Sequence, residues 1–268
     1  MIKGALIGQG RTAEVYAWGD GRILKLYRPE MPREWVDYEA RAGRLVTDAG
    51  LAAPAIAGVV EVDGRAGILY ERIDGPTMLE MAARRPWTLF RSAAQLAELH
   101  AAMHACPAEG LPRQRESLRR AIARAPRLAE TARAQALQAL EALPDGDQLC
   151  HGDYHPENIL MSAGGPVVID WMTATCGNPV ADVARTSLLF RMGRLPPGSS
   201  VPKKALVSTS RRLYHGAYLR RYAQLRPLPR PELEAWLPVL AAARLAERIP
   251  AEEDDLLRVA EAAFGQGG

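Results

Sequence analysis

Residues 151–160 read HGDYHPENIL, which sets His151, Asp153, His155, Glu157 and Asn158 in one short segment. Further on, PVVIDW (166–171) ends an apolar run on Asp170. A carboxylate on a loop can take the proton of an attacking hydroxyl, a task open to Asp153. The Asn158 amide and the Asp170 carboxylate offer hard oxygen donors. Magnesium favours a few such donors plus substrate phosphates over an all-protein cage. Asp153, Asn158 and Asp170 are therefore the parts that phosphoryl transfer needs: a proton acceptor and two metal ligands. The plainer alternative is a polar turn capped by an Asp and an Asn.

The same chemistry needs a grip on a polyphosphate. LIGQGRTAEVYAW (6–18) carries Gly8 and Gly10 between two apolar strands. Glycines there let backbone amides approach a phosphate closely. The third glycine of G-x-G-x-x-G is replaced by Ala13, so a plain turn also fits, and no Walker A loop is present. Lys25 stands on a strand between Leu24 and Leu26. Either that strand face is exposed, or the ammonium is paired and grips phosphate oxygens. Glu39, the most central acid of the next helical segment, is the partner expected to hold it. His100 and His104 lie at i, i+4, the spacing of a metalloprotease pair. Ala101 stands where such an enzyme needs Glu, and no third ligand is evident, so packing or hydrogen bonding is expected instead.

These residues need elements to position them. The first third reads as β: 3–8, 14–18, 22–28, 56–62 and 66–72, with turn signals at Gly19-Asp20-Gly21 and Asp63-Gly64. A helix is expected over 32–49, with Pro at its start, Gly50 past its end, and Trp35, Tyr38, Ala42, Leu45 and Val46 at helical spacing. After Gly75-Pro76 the pattern is mostly helical: 88–105, one or two helices in 113–143 broken at Pro126, then 179–192, 203–225, 231–248 and 252–264. Short β and loop structure is expected over 148–170, and a loop over 195–202. The outline is an α+β chain: a five-stranded lobe with one helix (1–75), then a larger helical lobe (76–268).

Composition is that of an ordinary globular chain: 268 residues, 48% hydrophobic and 24% charged. The net charge of +3 is too small and too dispersed to argue for nucleic acid. The doubled arginines 211–212 and 220–221 read as a solvated face. Three cysteines without paired spacing argue against a disulfide framework and a zinc site. No apolar run approaches membrane-spanning length, so a soluble cytoplasmic protein is expected.

HGDYHPENIL followed by VVIDW resembles the aminoglycoside phosphotransferase and choline-kinase-like group of small-molecule kinases, which share the protein-kinase fold. Gly152, His155 and Ile169-Asp170-Trp171 stand where protein kinases usually carry Arg after the first His and D-F-G later. GNPVADVART (177–186) resembles that group's G-D-P-x-x-D segment, with Asn178 in place of Asp, and 39–54 resembles its helix with the lysine-pairing Glu. The resemblance runs in order over about residues 5–190. It implies a bilobal kinase-like fold and transfer of the γ-phosphate of ATP, or of GTP, to a small-molecule hydroxyl with Mg²⁺. Asp153 would be the base, Asn158 and Asp170 the metal ligands, and Lys25 with Glu39 the phosphate grip. Gly8 and Gly10 would cover the triphosphate, and the backbone of Glu71 to Ile73 would meet the adenine. Asp182 and His151 would brace the catalytic loop, and Glu157 would face water.

The acceptor is less defined. Acidic and basic residues balance from Leu143 onward, so a smaller, less charged alcohol fits as well as a polycationic aminoglycoside. Glu252-Glu253-Asp254-Asp255 reads equally as a helix amino terminus. Trp236, Arg244 and Glu247 share a segment that either lines the acceptor cleft or packs in the core. A choline-, ethanolamine- or sugar-type metabolic kinase is the alternative within the fold. A catalytically silent nucleotide-binding regulator is the alternative outside it, against which Lys25, Asp153 and Asp170 are all retained.

Overall fold

The structure is a computed structural model that describes residues 3–19, 21–192 and 200–265. Asp20 of the expected turn and 195–199 of the expected loop lie outside the described residues. In chain order the elements are β1 (Leu6–Gln9), β2 (Ala13–Trp18), β3 (Arg22–Tyr27), α1 (Arg33–Asp48), β4 (Ile56–Val62), β5 (Arg65–Glu71) and α2 (Met78–Arg84). Then come α3 (Leu89–Met103), α4 (Gln114–Ala123), α5 (Glu130–Ala142), β6 (Gln148–Cys150), β7 (Ile159–Ser162), β8 (Gly165–Val168) and β9 (Thr175–Gly177). The chain continues through α6 (Pro179–Met192), α7 (Val201–Leu225), α8 (Arg230–Arg244) and α9 (Glu253–Phe264). The α+β class expected from the pattern is the one found. Two compact units emerge: Met1–Arg84 with Pro156–Ala174, and Arg85–His155 with Thr175–Gly268. The first extends past the Gly75-Pro76 turn and takes back the 156–174 segment.

In the first unit a five-stranded antiparallel sheet has the order β1-β2-β3-β5-β4. Strand β3 is central, and both of its faces are buried. Leu24 and Leu26 pack with Leu69 on one face. Tyr27 packs with Val36, Ala40, Ile68 and Tyr70 on the other, under α1. Each fully buried leucine contributes about 1.5–3 kcal/mol of transfer free energy. The face α1 presents differs in part from the expected one: Ala42 and Val46 are buried as expected, together with Val36, Glu39, Ala40 and Gly43, while Trp35 is 49% exposed. Small side chains let the helix approach the sheet closely, and that approach carries Glu39 inward.

The hairpin β7–β8 joins this unit through its backbone. Met161 N–H donates to Pro76 O (2.8 Å) and Val168 N–H to Ala52 O (2.9 Å). At Gly75, φ is +155° and a Cβ would sit 2.3 Å from Met161 O, so only glycine allows this contact.

Among its described residues the second unit has helices and one short strand pair, β6–β9. Helix α6 is buried almost all round, from Val180 to Leu188. Trp236, 2% exposed, belongs to the core, as do Leu237 and Leu240. Glu253, Asp254 and Asp255 occupy the first turn of α9, where the helix dipole favours acids, and Arg127 pairs with the first two. Cys150 and Cys176 are buried and Cys106 is partly exposed. Among the described residues no helix is long and apolar enough to cross a membrane.

Candidate active site

Lys25 lies on the β3 face that α1 covers. Its Nζ donates to Glu39 Oε1 (2.7 Å) and to Asp170 Oδ1 (2.9 Å). The lysine side chain is 14% exposed, Glu39 1% and Asp170 39%. Burial opposes the ammonium charge, but the two carboxylates outweigh it and hold the Lys25 pKa well above its ordinary value. Glu39 also accepts hydrogen bonds from the hydroxyls of Tyr70 (2.9 Å) and Tyr27. Burial, and then the Glu39 charge, push both phenol pKa values up, so both remain neutral donors. A buried carboxylate with three donors is a rigid post for the lysine.

Asn158 and Asp170 flank the open end of the β7–β8 hairpin. The register pairs Ile159 with Val168, and Ile169 N–H donates to Asn158 O (2.9 Å). The hairpin thus converts a separation of twelve residues into adjacency. Asp170 sits at φ 66°, ψ 65°, a left-handed conformation rare for a residue other than glycine. Such strain persists only where the surroundings impose it. Here it turns the carboxylate from the end of β8 toward Lys25. One carboxylate and one amide oxygen fit a magnesium ion that also takes phosphate oxygens.

Gly8 lies in β1 opposite Val15, and Gly10 opens the β1–β2 turn, closed by Gly10 N–H to Ala13 O (2.8 Å). A Cβ at either position would meet only ordinary contacts, the nearest at 3.6 Å from Gly8 and 3.7 Å from Gly10. Packing within the chain therefore does not explain these glycines. At the end of β5 the N–H groups of Glu71 and Arg72 are engaged by Ala55 O (2.8 Å) and Gly21 O (2.9 Å).

The second unit carries Asp153. Its N–H donates to His151 Nδ1 (3.2 Å), and its carboxylate lies 3.5 Å from His155 Nε2. Burial would raise the Asp153 pKa, but the His155 hydrogen bond and the nearby Arg185 charge hold it well below the carboxylate range. The group is ionised at neutral pH and able to accept a proton.

Behind Asp153, Asp182 of α6 accepts the N–H of His151 (2.6 Å) and of Gly152 (2.8 Å). Both amides reach one carboxylate because Gly152 takes φ +78°. His100 and His104 are bonded to that same carboxylate at 3.1 and 3.3 Å. The spacing of the two histidines was legible; their acidic partner, 78 residues or more away, was not. Arg185 donates to Gly152 O (3.0 Å) and pairs with Glu247. Arg244 pairs with Glu247 (3.0 Å) and Glu252 (2.6 Å). Glu157 is exposed.

Solved structures share this fold. An aminoglycoside phosphotransferase APH(4)-Ia is 18% identical, with 98% of this chain and 93% of that one covered at a TM-score of 0.63. The macrolide 2'-phosphotransferase MphH of Brachybacterium faecium is 20% identical, with 98% and 92% covered at 0.55. A choline/ethanolamine kinase family protein of Mesorhizobium loti is 17% identical, with 94% and 84% covered at 0.56. No curated protein matches the sequence. Residues 3–228 match the phosphotransferase enzyme family. The chain belongs to that family.

Proposed function

We propose that the protein is an ATP- and Mg²⁺-dependent kinase that phosphorylates a hydroxyl of a small molecule. The observation that carries this reading is Lys25, held between buried Glu39 and Asp170, with Asn158 bonded through its carbonyl to the N–H of Ile169, the residue before Asp170. The three side chains of that ion cluster sum to one negative charge. A divalent cation on Asn158 and Asp170 would turn the cluster positive, as a triphosphate requires. That ion would neutralise charge on the transferred phosphoryl group.

Lys25 would hold the α- and β-phosphates, with Gly8 and Gly10 above them. Asp153 would orient the acceptor hydroxyl and take its proton as the new O–P bond forms and the bond to ADP breaks. Because Asp153 is a weak base, proton transfer would come late, and its larger service would be orientation. Solved structures of the same fold support the nucleotide: a thermostable mutant of APH(4)-Ia forms a ternary complex with AMP-PNP and hygromycin B, and an amicoumacin kinase a complex with AMP-PNP, Ca²⁺ and Ami. The reading places the protein in the cytoplasm, where ATP and Mg²⁺ are supplied.

ATP consumption across a panel of aminoglycosides, macrolides, choline-like amines and sugars tests the proposal. At least one acceptor should yield a phosphomonoester, dependent on Mg²⁺. Nucleotide binding with no transfer to any of them would instead indicate a silent regulator.

A further inference from the structure

Asp182 is fully buried, and so are His100, His104, Tyr218 and Tyr222 around it. Its Oδ2 faces both imidazole Nε2 atoms and the His151 N–H, and its Oδ1 takes the Gly152 N–H. The other nitrogen of each ring meets a tyrosine of α7: His100 Nδ1 lies 2.7 Å from Tyr218 Oη, and His104 Nδ1 2.7 Å from Tyr222 Oη. Tyr154 of the catalytic loop stacks on His100 at 4.0 Å.

Hydrogen bonding fixes the protons of this cluster. A ring nitrogen 3.1–3.3 Å from a carboxylate oxygen must carry hydrogen, since two lone pairs would otherwise face each other. With Nε2 protonated, a neutral ring leaves Nδ1 as an acceptor for the tyrosine hydroxyl. Two imidazolium rings are excluded, because the ring centroids are 4.1 Å apart in a buried site with one carboxylate. Burial and the neighbouring His104 also push the His100 pKa down to about 3.

We propose that His100 and His104 are positioning residues of the transfer reaction: as neutral Nε2–H tautomers fixed by Tyr218 and Tyr222, they hold Asp182 against the backbone that presents Asp153. The role in transfer rests on the function proposed above; the proton arrangement does not. Helices α3 and α7 thereby set the geometry of the catalytic loop through one carboxylate. The titratable and charged groups facing the two rings are Asp182, His151, Tyr154, Tyr218, Tyr222 and Arg226. Two imidazole nitrogens and a carboxylate oxygen could also take a metal ion. The carboxylate already has four N–H donors, however, so the hydrogen-bonded cluster is complete without one.

Nitrogen-15 NMR of the imidazoles in the full-length protein tests the arrangement. Both rings should be neutral Nε2–H tautomers at pH 7.5, and His100 should remain so at pH 5, with no change on adding one equivalent of zinc chloride. An imidazolium, an Nδ1–H tautomer or a zinc-induced shift would overturn the proposal. Kinetics test the role. His104→Ala should lower kcat about 10- to 100-fold with the KM for ATP unchanged. His104→Gln, which can still donate, should recover much of the loss. In Tyr222→Phe, Nδ1 loses its donor, and kcat should acquire an acid limb above pH 5 that the wild type lacks. Wild-type kcat in His104→Ala, or an unchanged pH profile in Tyr222→Phe, would overturn it. If the wild-type protein transfers phosphate to no acceptor, amide exchange still decides: His151 and Gly152 N–H should exchange faster in Tyr222→Phe, and unchanged exchange overturns the linkage.

Discussion

Replacing Glu39 by Ala should be among the most damaging single changes to the sheet unit. Glu39 is 1% exposed and accepts from Lys25, Tyr70 and Tyr27. The substitution leaves Lys25 with Asp170 as its remaining carboxylate partner and removes the acceptor of two buried phenols. Breaking a buried ion pair costs about 3–5 kcal/mol. Each orphaned hydroxyl adds about 1–3 kcal/mol unless water enters the cavity. The contact with Asp170 offsets part of this, so a net loss of about 4 kcal/mol is expected. At about 2–4 °C per kcal/mol, the melting temperature should fall by roughly 10 °C. Glu39→Gln keeps an acceptor oxygen and should lose about half as much. Equilibrium urea unfolding of wild type, Glu39→Ala, Tyr70→Phe and the double variant supplies the measurement. Tyr70→Phe should cost about 1 kcal/mol alone and almost nothing once Glu39 is gone. A Glu39→Ala protein within about 1 kcal/mol of wild type, or a cycle with no coupling, would refute the reasoning.

Three further outcomes follow from the same geometry. Gly8→Ala and Gly10→Ala should change stability by less than about 0.5 kcal/mol, since the chain has room for the methyl group, yet weaken ATP binding in calorimetry; equal affinity would remove the glycines from the nucleotide site. Gly75→Ala should destabilise by more than about 1 kcal/mol in urea unfolding, because φ +155° and the Met161 carbonyl both oppose it; wild-type stability would show that this turn relaxes freely. Stability should fall as pH drops from 6.5 toward 3, because the unfolded chain takes up a proton on His100 that the folded chain, with a pKa of about 3, refuses. The slope from His100 is at most about 1.4 kcal/mol per pH unit, and His104 adds with the same sign. Urea midpoints at pH 7 and pH 5 would contradict this if they coincide.

Local pattern carried much of this structure. The alternation through 22–27 marks β3, and the apolar neighbours of Lys25 signal that its charge needs a partner; Glu39 is that partner in the fold. The packed face of α1 was less legible, because bulky residues such as Trp35 suggest burial while Val36, Ala40 and Gly43 make the contact. The adjacency of Asn158 and Asp170 follows from a short hairpin and was implied by order alone. What lay beyond the sequence was long-range: the shared carboxylate of His100 and His104, the α7 tyrosines behind them, and the pairing of Arg185 with Glu247. None of these has a local period, since each side chain is selected by a neighbour brought in by tertiary packing.

The central claim is that Asp153 serves the acceptor hydroxyl while a separate set of residues holds the nucleotide. Single-turnover phosphate transfer by Asp153→Asn, with ATP affinity measured in parallel on the same protein, tests it most directly. The transfer rate should be lower by about 10²- to 10⁴-fold, with the Kd for ATP within about threefold of wild type. Transfer at the wild-type rate, or a lost rate explained wholly by lost ATP binding, would contradict it.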